Sequence, residues 1–298
     1  MNLSKLLRFF DVRSARGESL VLVTVIATQG STYSKAGDQM LIDADGIGCG
    51  MLSGGCLESD LGARAQIVLE SGKAQTATYD LAAGDDDVWG LGIGCDGSMT
   101  VCLQAVTPAN DYSPFAEIAD VLRGNAKAEI SINVPGYDDA LTFTVRPPVR
   151  LIILGAGLDA VPLARFADNL GWRCTVVDHR PAYVNNHDFP ADCDRQCDEP
   201  EQLAAKVDLG AFDCAIIMSH HLASDRAYLQ QLAESDIAYV GLLGPPARKE
   251  RLLSDIGELA GHLAGRLHGP AGLKLGGRGP ELIALSIIAQ IQQVLATD

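Results

Sequence analysis

The sequence predicts an α/β chain in two parts: a smaller α+β domain over residues 1–147, then a Rossmann-type, doubly wound parallel sheet over residues 148–298. Three observations carry this. From Arg150 onward, apolar strand-like runs alternate with helical stretches, the pattern of a parallel sheet. Gly155-Ala156-Gly157-Leu158-Asp159-Ala160 stands between a strand and a helix, where a G-x-G-x-x-A turn belongs. Pro147-Pro148 falls where no ladder can continue, which sets the domain break near residues 146–149.

In the first part a helix precedes the run VLVTVIAT at 21–28, rich in β-branched residues and therefore a strand. QMLID at 39–43 is a second strand. ESDLGARAQIVLESG at 58–72 has the spacing of an amphipathic helix ended by glycine. Strands follow at AQTATYD and SMTVCLQAV, a helix at PFAEIADVLRG, and two more strand-like runs at AEISINV and ALTFTVRPP. In the second part strands are expected at RLIILG, RCTVVD, DCAIIMS and IAYVGLLG, separated by helices of ordinary length. No internal repeat or low-complexity tract interrupts either part.

At 298 residues and 47% hydrophobic, the chain is long enough for two cores. Its formal net charge of −15 speaks against collecting phosphate backbones or an anionic membrane surface, so nucleic acid is not an expected partner. No segment has the length and apolarity of a signal peptide or membrane span, and a cytoplasmic location is expected. Eight cysteines without a secretory signal read as reduced thiols rather than a disulfide framework. Cys174 and Cys214, inside strand-like runs, are expected core residues. Cys193 and Cys197 lack the second pair that a structural zinc site needs.

Two places concentrate chemistry. In the second part, the Gly155 and Gly157 turn allows close approach of a pyrophosphate or similar anion to a helix N-terminus. Asp178, about 20 residues on, stands where an acid accepts ribose hydroxyls. The alternative is that these glycines only serve close packing of helix on strand. His179 and Arg180, the tandem His220 and His221, and Gly244-Pro245-Pro246 are all placed at the carboxyl edge of the sheet, where ligands bind in open α/β folds. In the first part, Gly54-Gly55-Cys56 sets a thiol at the start of a helix, where the dipole favours thiolate, the form that attacks electrophiles and binds soft metals. Cys95, in Gly90-Leu91-Gly92-Ile93-Gly94-Cys95, offers a similar thiol. Tight packing at a Gly-Cys turn is the plainer reading of both. The neighbouring Asp85-Asp86-Asp87 run lacks the spacing of a calcium loop and reads as a solvated turn.

Together these pieces resemble the XdhC/CoxI family, accessory proteins of molybdenum hydroxylases such as xanthine dehydrogenase and carbon monoxide dehydrogenase. The carriers are GSTYSKAGDQMLI at 30–42, SGGCLE at 53–58, DDDVWGLGIGCDG at 85–97, LIILGAG at 151–157 with VVDHRP at 176–181, YVGLLGPPARKERL at 239–252 and HGPAGLKLGGRGPELIALSIIAQI at 268–291. The resemblance implies a maturation factor rather than a turnover enzyme. Such a protein binds molybdenum cofactor, supports its sulfuration and inserts it into a hydroxylase large subunit, with a cysteine desulfurase as a further partner. It points to Gly54, Gly55, Cys56 and Glu58, to Cys95, to Gly155 and Gly157, and to His268, with Cys56 as a molybdenum ligand or sulfur carrier. Position alone adds Asp178 and His220. Leu158 replaces the histidine common at the family's Rossmann turn, and Gly277 and Gly279 loosen the C-terminal motif, where Arg278 remains available to an anion. A homodimer is expected, because a second copy of the chain readily closes a cofactor cleft. Two other functions compete: an NAD(P)-dependent oxidoreductase, for which no Tyr-x-x-x-Lys dyad is present, and a non-catalytic interaction scaffold.

Overall fold

A computed structural model of the chain describes residues 2–80, 97–186 and 188–296. The chain divides into two compact units, Met1–Pro147 and Pro148–Asp298.

In the first unit α1 (Leu3–Ser14) is capped by Asn2, whose side chain accepts the Lys5 N–H. Strands β1 (Leu20–Gly30), β2 (Gln39–Asp43), β3 (Gly48–Cys49), β4 (Gln75–Asp80) and β5 (Gly97–Val106) make an antiparallel sheet in the order β3-β2-β1-β5-β4. Central β1 lacks a hydrophobic-polar alternation because helices cover both its faces. Val21, Val23 and Val25 pack with Leu61, Ala65 and Val68 of α2 (Glu58–Ser71). Leu20 and Leu22 pack with Leu6 and Phe10 of α1 and Ile118 of α3 (Phe115–Arg123). The hairpin of β6 (Ala128–Ile132) and β7 (Leu141–Val145) adds Ile132 to a small cluster with Ile26 and Cys102.

The second unit contains β8 (Arg150–Leu154), α4 (Ala160–Leu170), β9 (Arg173–Val177), α5 (Pro181–Asn186), β10 (Asp194–Gln196), α6 (Leu203–Lys206) and β11 (Cys214–Ile217). It continues with α7 (Leu222–Ala233), β12 (Tyr239–Leu242), α8 (Pro246–Ile256), β13 (Leu267–His268) and α9 (Pro280–Leu295). All six strands run parallel in the order β10-β9-β8-β11-β12-β13. This is the doubly wound Rossmann arrangement, and the winding reverses between β8 and β11, where such sheets leave a crevice. Leu151 and Ile153 face α4 and α9, while Ile152 and Leu154 face α7 and α8. Each such fully buried side chain contributes about 1.5–3 kcal/mol, so the strands that aim the crevice loops are firmly anchored. Cys174 and Cys214 are buried in this core. Among the described residues, no helix is long and apolar enough to cross a membrane.

Candidate functional site

In the first unit the motif that carries Cys56 is a braced turn. Gly54 and Gly55 adopt φ of 78° and 112°, the left-handed region where a side chain would be strained. Cys56 follows them, exposed, just before α2. Glu58 does not face outward beside it. Its carboxylate accepts the Leu52 and Ser53 N–H groups, both at 3.1 Å, the Ser53 hydroxyl at 2.6 Å and the Leu57 N–H at 3.1 Å. Partial burial works against ionisation, but these bonds outweigh it and hold the Glu58 carboxyl below its ordinary value. The Ser53 hydroxyl in turn accepts the Leu57 N–H at 2.8 Å. Glu58 therefore shapes the turn, and the turn presents the thiol. One helical turn on, Asp60 accepts from Tyr79 at 2.5 Å and from Arg64 at 2.6 Å, tying α2 to the sheet. Cys95 and the Asp85–Asp87 run lie outside the described residues.

At the carboxyl edge of the parallel sheet the expected residues are engaged with one another. Gly155 has φ 120°, and a Cβ there would lie 2.6 Å from the backbone of Met218 and Ser219, so the loops after β8 and β11 touch. Gly157 is boxed by the Asp159 carboxylate. Asp178 is 1% exposed. It accepts the Ala156 N–H at 2.7 Å, the Arg180 N–H at 2.9 Å, and the Arg180 guanidinium at 2.9 and 2.7 Å. Burial opposes its charge, yet the Arg180 guanidinium and these amides hold the carboxyl below its ordinary value. Asp178, expected from sequence at a ribose, braces the glycine turn from inside, with both oxygens engaged by Arg180 and the Ala156 amide. The turn amide of Ala156, which an anion would otherwise meet, is taken by the same carboxylate.

His220 is exposed, in the left-handed region at φ 59°, and its Nε2 lies 2.7 Å from Asp159. The pair spans the switch point from loop to loop. His221 caps α7, its Nδ1 3.0 Å from the Ser224 hydroxyl. Leu158, in the place of the family histidine, is 72% exposed beside a groove of about 530 Å³ lined both by Val161, Pro162 and Phe166 and by Arg165, Asp188 and Glu281. His268 is half-buried and stacks on Tyr239 with ring centres 4.5 Å apart. Burial, aided by the Lys249 charge, holds its imidazole below the ordinary value. Tyr239 donates to Gln290 at 2.6 Å, and Gln290 also accepts the Gly272 N–H at 2.7 Å, fastening the C-terminal loop to α9. Cys193 contacts Cys174 rather than Cys197, whose thiol lies 3.7 Å from the His179 carbonyl. Among the described residues, no group of three His, Cys, Asp or Glu side chains is arranged to hold a metal ion.

Sequence reasoning missed a second buried acid. Asp225, 1% exposed, accepts the Ser219 hydroxyl and pairs with Arg248 at 3.0 and 2.6 Å. The Tyr228 hydroxyl, buried near both Asp178 and Asp225, has no hydrogen-bond partner among the described residues. The available signal was Arg248 in the GPPARKERL run, whose partner acid, Asp225, lies 23 residues earlier in the chain.

Fold and sites together define a class: a Rossmann-type unit whose crevice loops are locked by its own charges, preceded by an antiparallel unit that presents a thiol on a glycine turn. Residues 151–291 match the XdhC Rossmann domain, and residues 14–80 match the XdhC and CoxI family. A protein of Bacillus subtilis described as a probable xanthine dehydrogenase component is 31% identical over 93% of this chain and 93% of its own. The molybdenum cofactor insertion chaperone PaoD of Escherichia coli is 25% identical over 97% of this chain and 87% of its own. The crystal structure of a xanthine dehydrogenase from Bacillus halodurans superposes with a TM-score of 0.83 at 31% identity, covering 98% of this chain and 96% of that one. The chain belongs to the XdhC and CoxI family.

Proposed function

We propose that this chain is a carrier that binds molybdenum cofactor, supports its sulfuration and inserts it into a molybdenum hydroxylase of the xanthine dehydrogenase kind. The single observation that carries this is the Cys56 turn: an exposed thiol, held out by two left-handed glycines and fixed from behind by Glu58. A soft sulfur donor on a preset backbone suits a molybdenum centre, either as a ligand or as a holder of sulfur on its way to the cofactor. The role for which PaoD is named, insertion of the same cofactor, supports the reading. The occupied Asp178 favours a carrier over a nicotinamide-dependent oxidoreductase.

The test is anaerobic retention of molybdenum cofactor by the purified chain, read as bound molybdenum and as pterin fluorescence after oxidation. Wild type is expected to retain cofactor near stoichiometrically and Cys56→Ala to lose most of it. Equal retention by the variant would remove Cys56 from the site, and no retention by wild type would end the carrier reading. Self-association belongs to the same proposal: a homodimer is expected in light scattering at working concentration, and a monomer there would end that part alone.

A further inference from the structure

We propose that a cavity in the first unit, between the start of α1, the loop at residues 31–38 and the end of β3, is the recess for the aminopyrimidinone edge of the cofactor's pterin. The inference rests on the carrier reading above and names where the organic half of the cargo is held. The cavity has a volume of about 470 Å³, within the range of about 300–1,000 Å³ typical of small-molecule sites. All its lining residues come from positions 2–51, so it belongs wholly to the first unit.

Its chemistry is selective. Asp38 is the carboxylate of the lining. Its Oδ2 accepts the Lys35 N–H at 2.8 Å, and no donor among the described residues reaches Oδ1. An ionised carboxylate only accepts, and its best match is a planar pair of adjacent donors, as in a bidentate guanidinium pair. The 2-amino group and N3–H of a pterin are such a pair. Tyr33, 60% exposed at the rim, offers a flat aromatic face to a fused planar heterocycle. Lys5 adds a cation to the lining, suited to an anionic group of the ligand. Cys49 supplies a neutral wall, since burial pushes its thiol up.

One contact joins this recess to Cys56. The Tyr33 ring lies 3.9 Å from the point where a Cβ on Gly54 would sit. The residue that lines the cavity thus also packs against the turn that carries the thiol. A pterin edge-on to Asp38 and stacked on Tyr33 leaves its substituents directed to the rim that Tyr33 shares with Gly54-Gly55-Cys56. One unit then provides a polar pocket for the ring and a thiol for the metal.

The probe is 6-carboxypterin, air-stable and fluorescent, titrated into the full chain alongside 6-carboxylumazine, in which a carbonyl replaces the 2-amino group. Wild type is expected to quench the pterin saturably and to bind the lumazine roughly tenfold more weakly, because the second compound sets a carbonyl against Asp38. Asp38→Asn keeps an acceptor for the Lys35 amide and is expected to fold, to bind the pterin roughly tenfold more weakly, and to lose the preference between the two compounds. Tyr33→Leu provides a second variant with weaker pterin binding. No saturable binding by wild type, equal binding of the two compounds, or unchanged affinity in Asp38→Asn each overturns the proposal. Its failure is separable from failure of the carrier reading: cofactor retention that depends on Cys56 but not on Asp38 removes the recess alone, while pterin binding without molybdenum retention leaves the recess and removes the carrier.

Discussion

The seven described thiols differ mainly in access. Cys56 and Cys197 are exposed and Cys49 is half-buried, whereas Cys102, Cys174, Cys193 and Cys214 lie in the cores. Burial pushes the Cys102 thiol up to about 11, and it raises Cys214 as well, so these two are kept both from solvent and from the thiolate form. A native-state titration with an aromatic disulfide should therefore modify Cys56 and Cys197 quickly and Cys49 slowly, leaving the core thiols until denaturant is added. Peptide mapping that found Cys102 or Cys214 among the first to react would contradict the packing. Glu58 makes a second residue-scale prediction. Its pKa is depressed in the folded chain, so its contribution is full above the unfolded value, about 4.3, and is lost as pH falls through the lower folded value. Glu58→Ala should lower stability by about 1–2 kcal/mol at neutral pH, and by less as the wild type is titrated below about pH 4. A constant difference across that range in urea unfolding would mean the carboxylate is not the brace. Sequence made Cys56 legible because two glycines before a helix start have few other uses. It could not show which way Glu58 turns, since that depends on Ser53 and the Leu52 amide closing a ring of bonds around it.

At the scale of elements, β1, β8 and β11 were readable for a physical reason: they are covered on both faces, and mainly apolar runs announce that. β3, β10 and β13 were not, because pairs and triplets of residues have no period to detect. The glycine turn after β8 was legible as a shape but not as a function. Its glycine at 155 is required by the Met218–Ser219 backbone passing 2.6 Å from the missing Cβ, a contact that serves packing at the switch point as well as any ligand. Asp178 sits at the spacing of a ribose acceptor, yet Arg180, two residues on, and the Ala156 amide claim it first. Gly155→Ala combines a positive φ with a backbone clash, and is expected to destabilise the second unit by about 2–4 kcal/mol. If its denaturation midpoint matched wild type, the two loops would have room to part and the crevice would be more open than the contact implies.

For the whole molecule, the carrier reading makes separate predictions for the two units. The second unit has helices on both faces of its sheet and two apolar clusters of its own, and a domain of about 150 residues buries enough surface to fold alone. The Pro147-Pro148 junction is where the chain divides. Residues 148–298 expressed alone are thus expected to unfold cooperatively in calorimetry, with calorimetric and van't Hoff enthalpies in agreement. The same fragment lacks Cys56, Asp38 and Tyr33, and its own polar side chains at the switch point are paired internally: Asp178 with Arg180, Asp225 with Arg248, His220 with Asp159. It should therefore retain no molybdenum cofactor under conditions where the full chain does. A cooperative fragment that held cofactor would transfer the site to the Rossmann crevice, and the Tyr228 hydroxyl, which has no hydrogen-bond partner among the described residues, would be the first group to change. A fragment that failed to fold would instead show that the second unit depends on the first for stability, despite its two closed apolar clusters. Folding without retention is the outcome that assigns cofactor binding to the thiol turn of the first unit rather than to the Rossmann crevice.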